Sequence, residues 1–509
     1  MSLTRSLTNT FSTVTSSRRL REYLGILLVG SGARTFGLLS QFVVLVMLSR
    51  LLSKGSFGDL MTAFGFYRLA GAALGVGGSL VLLFHVSRRV DDHAHEVRLH
   101  RFSALAAAAP SAAVALLAVF AADPVAHALG KPSLAGWLQQ LAPFLVFTTL
   151  LIVATGALEG RSRIAESIFW GEVAPNAVRI VLLPLVAVLN LPETYVAHVL
   201  TLSVFLPWLC LARRMWDRSV RGWQCWSGWD FSYCSKFAVA TLFANQLGAA
   251  DIVVASVLFS SETVADYAVA TRLAALFTFF QLALLKRFAP RAAGLLQENK
   301  QAALQGEADM CRRLTIGCTA LTIGGIVTLA PALLPLLGNY MSARALLIAL
   351  AIPSFIQSFY ATSDRLLVMA GQANIALILT ASSFAVLMTA PLATAPWLGP
   401  FAIPAAMAFS MLVFSPLVAV RARQLAGVRT VTARDLALMA WGSIALGVAT
   451  IGSLLSAAIV CGMLAVIGAY YIATALSRSV ADDYDSALAL RAGASVARVA
   501  LPAGDKASK

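Results

Sequence analysis

The sequence predicts an all-α polytopic membrane protein. It reads as about fourteen transmembrane helices: two six-helix lobes in parallel pseudo-repeat, plus two C-terminal helices. Three observations carry this. First, 59% of the 509 residues are hydrophobic and only 12% are charged, whereas soluble domains carry about 25% charged residues. A soluble chain of this length could not cover its surface with so few charges. Second, the basic residues fall on alternate segments between the apolar runs. Third, short patterns recur at an offset of about 207–211 residues.

The first 22 residues are rich in Ser and Thr and carry Arg5, Arg18, Arg19 and Arg21. No short apolar stretch with a small-residue cleavage site follows, so they read as a tail rather than a signal peptide. A bilayer crossing needs about 20 apolar residues. Runs of that kind lie at about 23–49, 59–84, 102–121, 137–158, 167–189, 194–212, 237–259, 265–285, 313–333, 344–368, 373–391, 401–420, 435–455 and 458–477. The expected organisation is a cytoplasmic tail (1–22), an N-lobe of six helices (23–212), a Trp/Arg-rich linker (213–236), a C-lobe of six helices (237–420), two extra helices (421–477) and a second cytoplasmic tail (478–509).

Charge tests this map. With the N-terminus inside, 30 of the 39 Lys and Arg residues fall on inner segments and 4 on outer loops. The remaining five, Arg34, Arg68, Arg179, Arg272 and Arg365, lie within spans. That asymmetry meets the positive-inside rule and places both termini in the cytoplasm. The net charge of +15 therefore sets orientation and gives no sign of nucleic-acid binding. Residues 213–231 carry Trp216, Trp223, Trp226 and Trp229 among several arginines, a composition suited to the headgroup layer. The linker is expected on the inner membrane surface.

The repeat is visible where LSRLLSKGSFGDLMTAF (48–64) is laid on ASVLFSSETVADYAVAT (255–271): Leu51, Ser53, Asp59 and Ala63 match Leu258, Ser260, Asp266 and Ala270. Gly160, Ile164 and Ala165 match Gly371, Ile375 and Ala376 at a similar offset. The offset covers six spans, an even number, so the two copies keep one orientation. Parallel repeats of this kind are a common transporter design.

The order of an Arg-bearing first span, the turn SRLLSKGSFG (49–58), a glycine-rich second span, ALEGRSR (157–163) and DIVVASVLFSSETVADYAVATRL (251–273) resembles the bacterial oligosaccharide flippases. These form the polysaccharide-transporter branch of the multidrug/oligosaccharidyl-lipid/polysaccharide exporter superfamily. The resemblance covers residues from about 20 to 420 and leaves the last two spans outside it. It implies that the two six-helix lobes stand around a central cavity, and that the protein is a flippase of the bacterial inner membrane moving an undecaprenyl-diphosphate-linked oligosaccharide from the inner to the outer leaflet by alternating access. Exopolysaccharide or O-antigen synthesis would then be the process served, with membrane lipids and the polysaccharide polymerase and export machinery as partners.

Ionisable groups at membrane depth are expensive and mark function by default. Ser31, Arg34, Leu38 and Gln41 recur at helical spacing on the first span. Arg68 shares a face with Gly71 and Gly75, and Glu172, Asn176 and Arg179 form one stripe. Thr241, Asn245, Gly248 and Asp251 line the seventh span, Arg272 sits in the eighth, and the tenth carries Asp364 and Arg365. Arginine makes bidentate phosphate contacts that lysine does not. Arg34, Arg68, Arg272, Arg179, Gln41 and Asn245 are thus the candidate diphosphate-binding residues. Asp251, Glu172, Asp364 and Arg365 are candidates for ion coupling or ion pairing. Arg34 or Arg272 pairing with Asp251, and Arg179 pairing with Glu172, are the structural alternatives, and Asp364–Arg365 can snorkel to the interface. Glu159, Arg161, Arg163 and Glu166 read as a solvated turn or an inner gate.

A proton- or sodium-coupled multidrug exporter is the alternative function; it would favour acidic cavity residues, whereas the spans hold five arginines. A membrane polymerase or acyltransferase would need a catalytic outer loop, and the outer loops are short. No catalytic constellation, metal spacing or cofactor motif stands out. The six cysteines form no C-x-x-C pair.

Overall fold

The computed structural model describes residues 31–88, 92–215, 217, 219–232, 235, 247–370, 372–452 and 456–477. Regular structure among them is entirely helical. The helices are α1 (Ser31–Leu51), α2 (Lys54–Arg88), α3 (His93–Phe120), the short α4 (Ala122–Ala128), α5 (Pro132–Gly160), α6 (Ile164–Val188) and α7 (Tyr195–Met215). After the linker come α8 (Leu247–Leu258), α9 (Ser261–Ala274), α10 (Phe279–Gln297), α11 (Gln301–Leu337), α12 (Ala343–Met369), α13 (Ala373–Leu398), α14 (Ala402–Ala426), α15 (Ala433–Ile451) and α16 (Ser456–Ser477).

Ten continuous helical stretches among the described residues are long and apolar enough to cross a membrane, eleven with the bent α9–α10 pair. The chain is a multi-pass membrane protein. The expected fourteen spans are not all met at full length. The first and seventh correspond to the shorter apolar stretches Leu39–Leu51 and Ala249–Leu258. Asn374–Ala426 runs for 53 residues, more than twice a bilayer crossing, and Gly399, at φ +53°, divides it into α13 and α14.

The eighth expected span is not one straight rod. α9 and α10 meet at 47°, across Ala275–Thr278. There Leu276 and Phe277 donate to carbonyls three residues back, at 3.1 and 2.9 Å. This tighter pattern interrupts the α-helical ladder at the bend.

Before the linker, helices gather around α5, which touches α2, α3, α6 and α7. Small residues permit the close α2–α5 approach: a Cβ on Gly156 would stand 2.2 Å from Ser79 Oγ, and lipid-bathed helices associate through such small-residue seams. After the linker, α12 plays the central part against α9, α10, α11, α14 and α15. Its Leu347, Ala351, Phe355, Ile356 and Phe359 are fully buried. α16 lies on α11, where Gly468 meets the Gly317 carbonyl.

The linker is fastened to the α2–α3 end rather than merely laid on a surface. Arg101 of α3 donates to the carbonyls of Val220 (2.6 Å) and Asp217 (2.7 Å), and Trp226 Nε1 donates to Ser103 Oγ (3.0 Å). His85 meets Asp230 at 2.7 Å, while Trp223, Trp229 and Phe231 remain exposed. Burial alone would raise the Asp230 carboxyl, but hydrogen bonds from His85 and Ser227 outweigh it and hold that carboxyl below the usual range. The stabilisation from this depressed carboxyl is therefore complete above about pH 4 and is lost only as pH falls through the lowered value. Arg101→Ala should free residues 217–232, read as faster tryptic cleavage at Arg221; an unchanged cleavage rate would count against the fastening.

The last two helices are tied to the second half by a buried network. Arg312 of α11, 2% exposed, contacts Asp435 of α15 (2.8 Å), Asp309 (3.0 Å) and the Thr430 carbonyl (2.9 Å). Asp435 also accepts from Tyr471 of α16 at 2.6 Å and closes a capping box with Thr432. Removing one member of a buried ion pair costs about 3–5 kcal/mol because its partner stays buried and uncompensated. Arg312→Met should accordingly lower the melting temperature of the purified protein sharply, and an unchanged melting curve would show that the pair contributes little.

Candidate functional site

A cavity of about 590 Å³ lies at membrane depth between α1, α2, α5, α6, α7, α9 and α10. Five expected site residues on four different helices line it: Gln41, Arg68, Glu172, Arg179 and Arg272. Asn176 lines it as well. These positions converge because each is a polar residue on the inward stripe of an otherwise apolar helix.

The α6 wall is built by a local irregularity. Phe169–Val173 forms a π-turn, with the Ala174 N–H returning to the Phe169 carbonyl. Pro175 follows; it has no N–H to give Gly171, so the ladder opens just before it. The widened turn rotates Glu172 relative to Arg179. This overturns the expected Glu172–Arg179 ion pair. Arg179 donates instead to Ser203 Oγ (2.9 Å) and Asn176 Oδ1 (3.2 Å), and its guanidinium lies 5.8 Å from the Phe64 ring centre. Glu172 faces α1, its Oε2 3.7 Å from where a Gly37 Cβ would stand.

Electrostatically, Arg68, Arg179 and Arg272 repel one another across the cavity, and Glu172 and Asp251 attract Arg68. Among the described residues, three guanidinium groups against one lining carboxylate leave the cavity cationic. Neutral partners hold the Arg179 head, so its charge is not cancelled and stays directed at the space.

The other expected residues are placed differently. Asp251 on α8 is buried, accepts from Tyr267 Oη of α9 at 3.0 Å, and does not line the cavity. Among the described residues its hydrogen-bond donors are Tyr267 Oη and the Ile252 N–H, and Arg272 attracts it electrostatically. Asp364 is exposed on α12, and neither it nor Arg365 lines the cavity. Arg34 lies on α1, but its side chain is outside the described residues, as is Asn245 altogether. The turn at 159–166 is partly structural: Arg161 binds Glu96 of α3 at 2.6 Å, Arg163 pairs with Glu166, and Ser167 donates to Glu159 at 2.9 Å.

A second constellation was not anticipated. At one end of the bundle the two halves are clasped by reciprocal contacts. Lys54 at the start of α2 binds Asp266 of α9 at 2.8 Å, and Ser261 at the start of α9 donates to Asp59 of α2. Lys54 and Ser261 are 207 residues apart, and so are Asp59 and Asp266. Each carboxylate also accepts from a serine within its own half, Asp59 from Ser133 and Asp266 from Ser342. The repeat thus produces a pseudo-two-fold polar clasp, the same patch used from both sides. Arg50 reinforces it by capping the α11 carbonyls of Leu336 (2.8 Å) and Pro335 (3.2 Å), and Lys131 donates to the Ser256 carbonyl at 2.7 Å. The signal was present in the matched Asp59 and Asp266, but charges at span ends look ordinary.

No protein-family model and no curated protein matches the sequence. Solved structures do match. An inward-facing multidrug resistance MATE family transporter of the MOP superfamily aligns over 77% of this chain and 94% of its own, with TM-score 0.63 and 15% identity. An outward-facing structure of such a transporter aligns over 78% and 93%, with TM-score 0.56 and 15% identity. A MOP superfamily transporter from Pyrococcus furiosus, described as having a binding pocket of reverse polarity that suggests a different function, aligns over 82% and 97%, with TM-score 0.54 and 16% identity. This chain has the MATE/MOP transporter fold. The fold accounts for a cavity enclosed by helices from both halves and for a clasp where those halves meet.

Proposed function

We propose that the protein is an alternating-access flippase carrying an undecaprenyl-diphosphate-linked oligosaccharide from the inner to the outer leaflet of a bacterial inner membrane. The observation that carries this reading is the convergence of Arg68, Arg179 and Arg272 on one cavity. A lipid diphosphate brings about two negative charges into a layer without counterions, and planar guanidinium forks suit it. The sugar would occupy the cavity beside the arginines and the prenyl chain would stay in lipid. Polysaccharide polymerase and export machinery would take the product at the outer face.

The positive-inside asymmetry assigns the clasped end to the outside. The described state is then closed outward, and its TM-score is higher against the inward-facing neighbour than the outward-facing one. In that state the diphosphate would enter from the inner leaflet, its charge offset by the arginines. Opening the clasp would release it outward, with the 47° bend between α9 and α10 carrying Arg272 at the moving boundary. Glu172, on the cavity wall, is the carboxylate best placed to couple this cycle to protons or sodium, and Asp251, buried on α8, is the second candidate.

Deleting the gene should accumulate undecaprenyl-diphosphate oligosaccharide on the inner leaflet and remove surface polymer. Equal arrival of that intermediate at the outer leaflet without the protein would defeat the reading. The second reading, an ion-coupled multidrug exporter, is favoured by the multidrug description of two structural neighbours; it predicts instead a gain in sensitivity to cationic drugs with normal polymer.

A further inference from the structure

We propose that a second pocket, formed by α11, α15 and α16, binds the phosphate group of an anionic phospholipid. The pocket encloses about 390 Å³ and shares no lining residue with the central cavity. It sits where α15 starts and α16 ends, beside the point on α11 at which its apolar stretch begins, a position suited to the level of the headgroups. Below it the outward faces of α15 and α16 are apolar and exposed, with Trp441, Ile444, Val448, Ile459 and Val466 open to lipid. A phospholipid lying on those faces would bring its headgroup to the pocket mouth.

The lining supplies the chemistry of a phosphate site. Arg312 and Asp435 form the floor, and Arg312 is neutralised by Asp309 and Asp435. Arg434 and Arg313 add two further guanidinium groups, and Thr432, Thr474, Ser477 and Tyr470 add hydroxyls. Arg434 is exposed, has no carboxylate partner among the described residues, and is held 4.8 Å from the Tyr470 ring centre. That stacking orients its fork across the pocket without cancelling its charge. A basic pocket between transmembrane helices at the cytoplasmic side is the type of surface that reads anionic headgroups. Such a lipid would join α16 to α15 and α11 and give the two terminal helices a task separate from the central cavity. The inference does not depend on what that cavity carries.

The purified full chain, examined by native mass spectrometry, should retain added phosphatidylglycerol in preference to phosphatidylcholine. Arg434→Gln and Tyr470→Leu should each weaken retention, Arg434→Gln by about tenfold, as expected for one charge-assisted hydrogen bond. Arg434 is exposed, so its variant should fold, and a melting curve checks this. Arg272→Gln in the central cavity should leave retention unchanged. Equal retention of both lipids, or full retention by Arg434→Gln, would overturn the proposal. So would loss confined to Arg272→Gln, which would place the lipid in the central cavity. Displacement by inorganic phosphate at the concentration of the lipid would assign the pocket to a free anion. Disappearance of the Arg434 effect on neutralising Asp482, Asp483 and Asp485 would assign it to the chain's own tail. Either result would overturn the lipid assignment.

Discussion

Arg68→Gln combined with Arg272→Gln should abolish surface polymer while the protein stays in the membrane at normal level. Both side chains line the central cavity from different helices, and each is expected to contact the diphosphate. A hydrogen bond to a charged group is worth about 1.5–3 kcal/mol, so losing two should weaken headgroup binding roughly a hundred- to ten-thousand-fold. The fold should tolerate the change, because glutamine keeps polar stems in the cavity and mutual repulsion among the arginines is relieved. Arg272→Lys provides a finer measure. It keeps the charge and loses the bidentate fork, so partial export is expected. The readout is surface polysaccharide together with the lipid-linked intermediate, normalised to protein in the membrane. Normal polymer from the double variant would sink the cavity assignment, whatever the fold.

The cavity was legible because of cost. An arginine inside an apolar run needs a reason, and Arg68, Arg179 and Arg272 each had one. Partner identity was not legible, because it depends on turns that the pattern of residues hides. An ideal helix would bring Glu172 toward Arg179; the π-turn before Pro175 rotates it away, and Ser203 on α7 takes the contact. The bend between α9 and α10 contains neither proline nor glycine, so nothing in Ala275–Thr278 announced it. Asp251 found Tyr267 sixteen residues on, a polar partner that reads in sequence as one more aromatic at a span boundary. The clasp lies at the other extreme. Its carboxylates, Asp59 and Asp266, were the residues that exposed the repeat, yet their partners sit about 75 or more than 200 residues away. Sequence periodicity shows which residues are equivalent. Only the packing shows that equivalents from opposite halves touch.

Gly58→Leu should hold the clasp open and stop transport. A Cβ at this position would stand 1.8 Å from the backbone carbonyl oxygen of Ser261, where carbon contacts need about 3.5 Å. The obstacle is main chain, not a side chain that can swing aside, so α2 and α9 must separate. Their separation breaks both reciprocal contacts, Lys54 with Asp266 and Ser261 with Asp59. Each 1.4 kcal/mol of penalty on the closed state lowers its population about tenfold relative to the open one, and a backbone clash of this depth supplies several such steps. Transport needs both states, so trapping either one abolishes turnover even with every cavity arginine in place. That separates this prediction from the one on Arg68 and Arg272: the trapped protein should still bind a lipid diphosphate. Spin labels at Ser53→Cys and Met341→Cys, both exposed beside the clasp, should report a longer separation in Gly58→Leu than in the parent. Gly55→Leu is the matched control, since a Cβ there meets nothing within 4 Å; it adds the same bulk one turn earlier and should leave both distance and transport unchanged. If the two leucine variants behave alike, the close approach of α2 and α9 is not what holds this end shut.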